Sequence, residues 1–172
     1  KTLTWSWVLF IYLRNLISAI VVATVMHVYF HTFKGQGLRL RYEKRDLIEH
    51  GNNRRFTFNN QLLDNIFWTL VSGVTIWTAF EVLYFWAFAN GFMPAVEWSQ
   101  NPVWFLVLFV LIPLWSSVHF YWVHRMIHWP PLYNMAHSVH HRNIITGPWS
   151  GLSMHPIEHL IYFSSIILHV FV

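Results

Sequence analysis

Three stretches of this chain are apolar for so long that a water-soluble fold would have no way to hide them. WSWVLFIYLRNLISAIVVATVMHVYF runs from Trp5 to Phe30, NIFWTLVSGVTIWTAFEVLYFWAFA from Asn65 to Ala89, and VWFLVLFVLIPLWSSVHFYWV from Val103 to Val123. A helix needs about 20 such residues to cross a hydrocarbon layer of about 30 Å. Inside that layer the backbone must satisfy its own hydrogen bonds, so each segment is expected to be helical. Composition agrees: 55% of the residues are hydrophobic and only 10% charged, against about 25% charged in soluble domains. The sequence therefore predicts an all-α, multi-pass transmembrane protein forming a single membrane domain over residues 1–172, with spans at about 5–32, 65–89 and 103–123 and the start of a further apolar segment at 160–172. No linker, repeat or low-complexity tract divides it. The last run, LIYFSSIILHVFV, has no helix stop and the chain has no initiator Met. It reads as a piece of a longer protein, truncated at its C-terminus.

Charge sets the expected orientation. Seven of the eleven Lys and Arg fall between Lys34 and Arg55, in a polar loop bounded by apolar segments. Such a loop is a topology signal and argues for the cytoplasmic side, not for nucleic acid as a partner. The connection NGFMPAVEWSQNP, at the opposite end of the second span, carries no Lys or Arg. The third span, which Pro113 is placed to kink, returns the chain to the basic side and delivers His124 to the cytoplasmic face. Trp68 and Trp86 stand near the two ends of the second span, at headgroup level. Arg14 and Asn15 interrupt the first span and are expected in the interface, or with Arg14 snorkelling toward it. Glu81, inside the second span, is expected to pair with a hydroxyl or backbone group of another helix, a functional role being the other reading.

The segment HRMIHWPPLYNMAHSVHH, residues 124 to 141, holds five histidines, while the chain has no cysteine. Any transition-metal site must then use imidazole and carboxylate ligands. On a helix, His124 and His128 share one face. His137 pairs with either His140 or His141, and the last two diverge by about 100°, so they can reach different ions. Trp-Pro-Pro between the clusters ends one helix and lets a second approach at a new angle. Imidazoles buried together repel when protonated, whereas a metal gives each lone pair a use. Isolated histidines are a different matter, and His27, His31, His50 and His119 are expected to be hydrogen-bonded structural residues or headgroup contacts. A zinc peptidase would show H-E-x-x-H; here Arg125 stands where the base would be.

HRMIH at 124–128, HSVHH at 137–141 and MHPIE at 154–158 resemble the H-x3-H box, the H-x2-H-H box and the His-Pro-x-Glu segment of the fatty acid hydroxylase/sterol desaturase superfamily. Members are integral membrane oxygenases with a histidine-ligated di-metal centre, usually di-iron. The resemblance covers about residues 60–172. It implies that His124, His128, His137, His140 and His141 are metal ligands, with His155 and Glu158 as residues that line the site or hold a ligand in place. Zn is a possible substitute for Fe in a prepared sample. The family has a further H-x2-H-H box and another histidine after one more membrane pair. Neither is present here, and His159 and His169 lack the spacing.

The activity so implied is O2-dependent hydroxylation or desaturation of an unactivated C–H bond in a lipid, sterol or fatty acyl in type. The substrate would enter from the bilayer, and electrons would come from an external donor such as cytochrome b5, a ferredoxin or a reductase. No nucleotide-binding glycine fingerprint appears. A bacterial inner membrane and the endoplasmic reticulum both fit. Two rival readings are a membrane b-type cytochrome ligating haem through His27, His119 or His169, and a non-catalytic metal- or pH-sensing membrane scaffold.

Overall fold

The computed structural model describes residues 2–37, 39–47, 54–94 and 96–170. His50, expected in the solvated loop, lies outside them, as does the side chain of His169. Helix α1 (Trp5–His27) runs on through a π-helical turn to Thr32. Helix α2 (Gln61–Phe67), a π-helical stretch (Trp68–Val74) and α3 (Thr75–Ala89) form one continuous rod. Helix α4 (Pro102–Ile127) is followed by α5 (Pro130–Leu132), a π turn (Tyr133–His137) and α6 (Ser138–His141). Helix α7 (Pro156–Phe163) tightens into a 3-10 helix (Ser164–Val170).

Three rods, Trp5–Thr32, Gln61–Ala89 and Pro102–Ile127, are long and apolar enough to cross a membrane by length and composition. Their faces away from the core carry exposed Val, Leu, Ile and Phe side chains, among them Val25, Val71, Phe109 and Val110. Water would penalise such a surface, and large exposed apolar faces mark contact with lipid or protein.

The boundaries differ from the sequence reading in two places, and each has a physical cause. The second rod begins at Gln61, not Asn65, because the polar residues at its start are buried by partners. Asn60 caps it, its side chain accepting from the Leu63 N–H at 2.9 Å. The third rod continues past Val123 to Ile127, so His124 lies in the helix and His128 at its C-cap. After His159 the described chain holds the rest of α7 and a short 3-10 helix, with no rod of spanning length. Ser164 takes the Ile161 carbonyl with its hydroxyl at 2.6 Å where the helix tightens.

A polar stripe on the second rod explains how the histidine segment is held. Gln61, Asn65, Thr69 and Ser72 recur at helical spacing and are all buried. Gln61 donates from Nε2 to Asn143 Oδ1 at 3.0 Å and to the Ile145 carbonyl at 2.5 Å. Thr69 donates to the Trp149 carbonyl at 3.0 Å. Gly73 lies against α7 so closely that a Cβ there would meet His159 Nε2 at 3.1 Å. Residues 143–153 are thereby strapped to α2 and the π-helical stretch. The basic loop belongs to the same end, since Arg142 reaches Thr57 and a Cβ on Gly147 would meet Leu47 at 3.2 Å.

At the other end of α1 and α3 the polar intruders pair with one another. Arg14 forms an ion pair with Glu81 and donates from Nε and Nη2 to Asn15 Oδ1 at 3.2 and 2.9 Å. Asn15 Nδ2 donates to Glu81 Oε2 at 2.7 Å and to Thr78 Oγ1 at 3.1 Å. Glu81 is thus held by charged and amide side chains of α1, not by a hydroxyl or backbone group.

Candidate metal centre

Helix α4 places His124 and His128 one turn apart, with their Nε2 atoms 3.2 Å from each other. The chain then turns at Trp129-Pro130-Pro131, where proline begins the next helix without needing an N–H. The π turn and α6 bring His137 and His141 back over the first pair, with Nε2 atoms 2.9 Å apart. Ring centroids of His137 lie 4.8 Å from His124 and 4.7 Å from His128, and His141 is 4.9 Å from His128. One ring nitrogen from each of the four lies within 4.8 Å of all the others.

Metal–imidazole bonds of roughly 2.0–2.1 Å put ligand nitrogens about 2.9–4.2 Å apart in a four- to six-coordinate shell. The four histidines fit one ion with small adjustments. Without a cation or proton between them, lone pairs facing at such distances repel.

Glu158 decides which nitrogen of His137 faces the cluster. Its Oε1 lies 2.8 Å from His137 Nδ1, and both side chains are buried. The hydrogen-bond network assigns the Nδ1 proton to this contact, leaving the Nε2 lone pair aimed at His141. Burial, and then the nearby His128, push His137 down to about 4. Burial and the surrounding histidines likewise push His141 to about 4. Both imidazoles are therefore neutral at neutral pH, the form in which they bind metal. Burial raises Glu158 to about 7, opposed by His140 and His155.

His140 stands outside the four-nitrogen cluster. Its ring stacks on His137 at 5.7 Å, and it lines a cavity of about 20 Å³ with His124, Glu158, Phe120, Met154 and Tyr162. His140 Nδ1 and Glu158 Oε2 are both buried and make no hydrogen bond among the described residues. His155 accepts on Nδ1 from the Ile157 N–H at 3.3 Å. It caps α7, the helix that presents Glu158.

The other histidines have local partners. His159, fully buried and lowered to about 4 by that burial, donates from Nε2 to the Leu152 carbonyl at 3.1 Å and accepts from Ser72 at 2.6 Å. His119 meets Ser164 Oγ at 3.1 Å, and His27 stacks on His31 at 5.2 Å. Sequence reasoning overlooked the polar stripe of the second rod and the buried role of His159. The recurrence of Gln, Asn, Thr and Ser at helical spacing inside an apolar segment was the available signal.

Fold and site together define a helical protein with a histidine cluster able to hold a metal ion. Residues 108–172 match the fatty acid hydroxylase family model. That stretch holds His124, His128, His137, His140, His141 and Glu158, and it is where the chain is similar to the fatty acid hydroxylase/sterol desaturase superfamily. Among similar curated proteins, a Delta(7)-sterol 5(6)-desaturase of Gibberella zeae is 33% identical over 69 residues, 40% of this chain and 21% of that protein. Another from Candida glabrata is 25% identical over 105 residues, 59% of this chain and 28% of that protein. The human fatty acid hydroxylase domain-containing protein 2 is 33% identical over 78 residues, 40% of this chain and 23% of that protein. The chain thus spans between about a fifth and about three tenths of the length of these relatives. No solved structure matches it.

Proposed function

We propose that this chain supplies the histidine centre of a membrane-embedded di-iron oxygenase that hydroxylates or desaturates an unactivated C–H bond of a lipid, sterol or fatty acyl in type. The observation that carries the reading is the convergence of four imidazoles, one of them oriented by a buried carboxylate. The metal supplies O2 activation, a chemistry no side chain can perform. In this reading His124, His128, His137 and His141 would hold one ion, and His140 would serve a second. Glu158 keeps His137 in the tautomer that ligates. Phe120, Val123, Ile127, Met154 and Tyr162 surround the cavity and keep water from it. The three apolar rods lie in the bilayer, so a lipid substrate reaches the site without crossing water. The excess of Lys and Arg between Lys34 and Arg55 supports a cytoplasmic location for the end that carries the cluster, where an external donor such as cytochrome b5, a ferredoxin or a reductase would deliver electrons.

The test uses the full-length protein. Purified from membranes, it is expected to carry iron and to convert lipid only with O2 and a reductant. His140→Ala is expected to abolish turnover and lower iron content while the protein still inserts into membranes. An active, iron-replete His140→Ala protein would overturn the assignment, and so would a wild-type protein that retains no transition metal.

A further inference from the structure

A cavity of about 490 Å³ lies between the start of α1 and the end of α3, lined by Thr2, Trp7, Phe10, Ile11, Arg14, Phe85, Trp86, Phe88 and Ala89. It is at the end of these helices opposite the histidine cluster. Ligand sites run from about 300 to 1,000 Å³, mostly apolar with a few placed polar groups. This one has a wall of aromatic and aliphatic side chains and a single charged residue, Arg14.

Arg14 is incompletely used. Its Nε and Nη2 serve Asn15 and Glu81, but Nη1 makes no hydrogen bond among the described residues, and 42% of the side chain is exposed. Side chains on a helix lean toward its N-terminus. The guanidinium accordingly reaches back along α1 toward Ile11, Phe10 and Trp7, into the cleft. A donor left bare toward hydrocarbon is costly. Its charge, however, is already matched by Glu81, so the missing partner is a neutral acceptor and not an anion. Trp7 and Trp86 stand at the mouth, where aromatic rings favour the headgroup level. In a rod long enough to span a bilayer, the molecules outside that mouth are lipids.

We infer that this cleft binds a glycerolipid of the leaflet opposite the histidine cluster, with an ester carbonyl accepting from Arg14 Nη1 and an acyl chain lying against Phe10, Phe85 and Phe88. The site is separate from the metal centre and holds a resident lipid, not the substrate. It joins α1 to α3 where the two rods leave the cleft between them.

The test reconstitutes the full-length protein in phosphatidylcholine vesicles containing a trace of phosphatidylcholine with a photoactivatable diazirine on one acyl chain. Crosslinked peptides are mapped by mass spectrometry. Label is expected on residues 7–11 and 85–89 at about tenfold the level of the exposed α4 residues Phe109 and Val110. Ala89→Trp, which fills the cleft without touching the ion pair, should lower it about tenfold. The double variant Arg14→Leu/Glu81→Leu, which removes the donor without leaving a bare charge, should also lower it. Label at the cleft no greater than on α4 would mean annular lipid only and would overturn the inference. So would label that an unlabelled sterol, but not unlabelled phosphatidylcholine, displaces. Absence of label because another part of the full chain covers the cleft would overturn it too. Iron content, measured on the same samples, is expected to be unchanged in every variant.

Discussion

The helical body contains two clusters of polar side chains, each anchored on buried residues and built on opposite plans. Between α1 and α3, Arg14, Asn15, Thr78 and Glu81 form a charge-balanced set in which positive meets negative and the amide bridges both, with Arg14 Nη1 left over at its edge. At the other end, His124, His128, His137 and His141 present like to like, nitrogen facing nitrogen, with two further buried atoms of His140 and Glu158 unbonded. The first group is complementary within itself and works as a clasp between helices. The second is complementary only to something added, and lone pairs converging on a point call for a cation. Buried polarity alone does not mark a functional site; polarity that its own neighbours fail to satisfy does.

That contrast can be broken experimentally. The largest effect is expected from His137→Ala, which removes the ligand at the centre of the cluster. Metal content of the purified full-length protein should fall to background, measured by mass spectrometry of the metal. In the clasp, Glu81→Leu strands Arg14 and should cost about 2 kcal/mol, somewhat below a fully buried pair because Arg14 is partly exposed. Arg14→Leu/Glu81→Leu should recover most of that in denaturant titrations, since replacing both members of a pair by apolar residues is close to neutral. Metal affinity should not move in either variant.

Glu158→Ala should weaken metal binding by about 10- to 100-fold without removing any ligand. Glu158→Gln, whose amide oxygen still accepts from His137 Nδ1, should weaken it less. A competition titration against a chelator separates the two. The pH dependence of the metal-free protein follows from His137, His141 and His159, opposed by Glu158. The three histidines sit near 4 when folded, against about 6.5 in the unfolded chain, whereas Glu158 sits near 7 against its ordinary 4.5 and favours the folded state as pH falls. The histidines outnumber the carboxyl, so between about 6.5 and 4 the unfolded state binds more protons and stability should fall as pH drops. Bound metal should move that loss to lower pH, because it occupies the same lone pairs. The smallest effect is expected from Thr78→Val, which deletes one acceptor of Asn15 and should cost about 1 kcal/mol in the same denaturant titration.

Much of the architecture was legible in the sequence because it rests on local quantities. Apolar length marked the three rods, and helical spacing put His124 with His128 and His137 with either His140 or His141. The divergence of His140 from His141 follows from the 100° step alone. What the sequence did not show depends on partners far along the chain. Arg14 and Glu81 each looked like a liability for its own helix, and only their meeting, 67 residues apart, makes both acceptable. Gln61 fell outside the expected second span because nothing local shows that Asn143 and Ile145 will bury it. Glu158 stood out as a carboxylate in a motif, but its choice of His137, and His155's work as a helix cap, are set by how α7 docks.

The corner Trp129-Pro130-Pro131 has an effect on how quickly the site can be filled. Only eight residues separate His128 from His137, and two of them are rings whose φ is already fixed. The unloaded segment has few alternative shapes to explore, so capture of an ion needs little reordering of the backbone. A protein stripped by a chelator should reload at a rate set by arrival of the ion. With glycine at both proline positions, loading should become slow and temperature-dependent, even though every ligand remains.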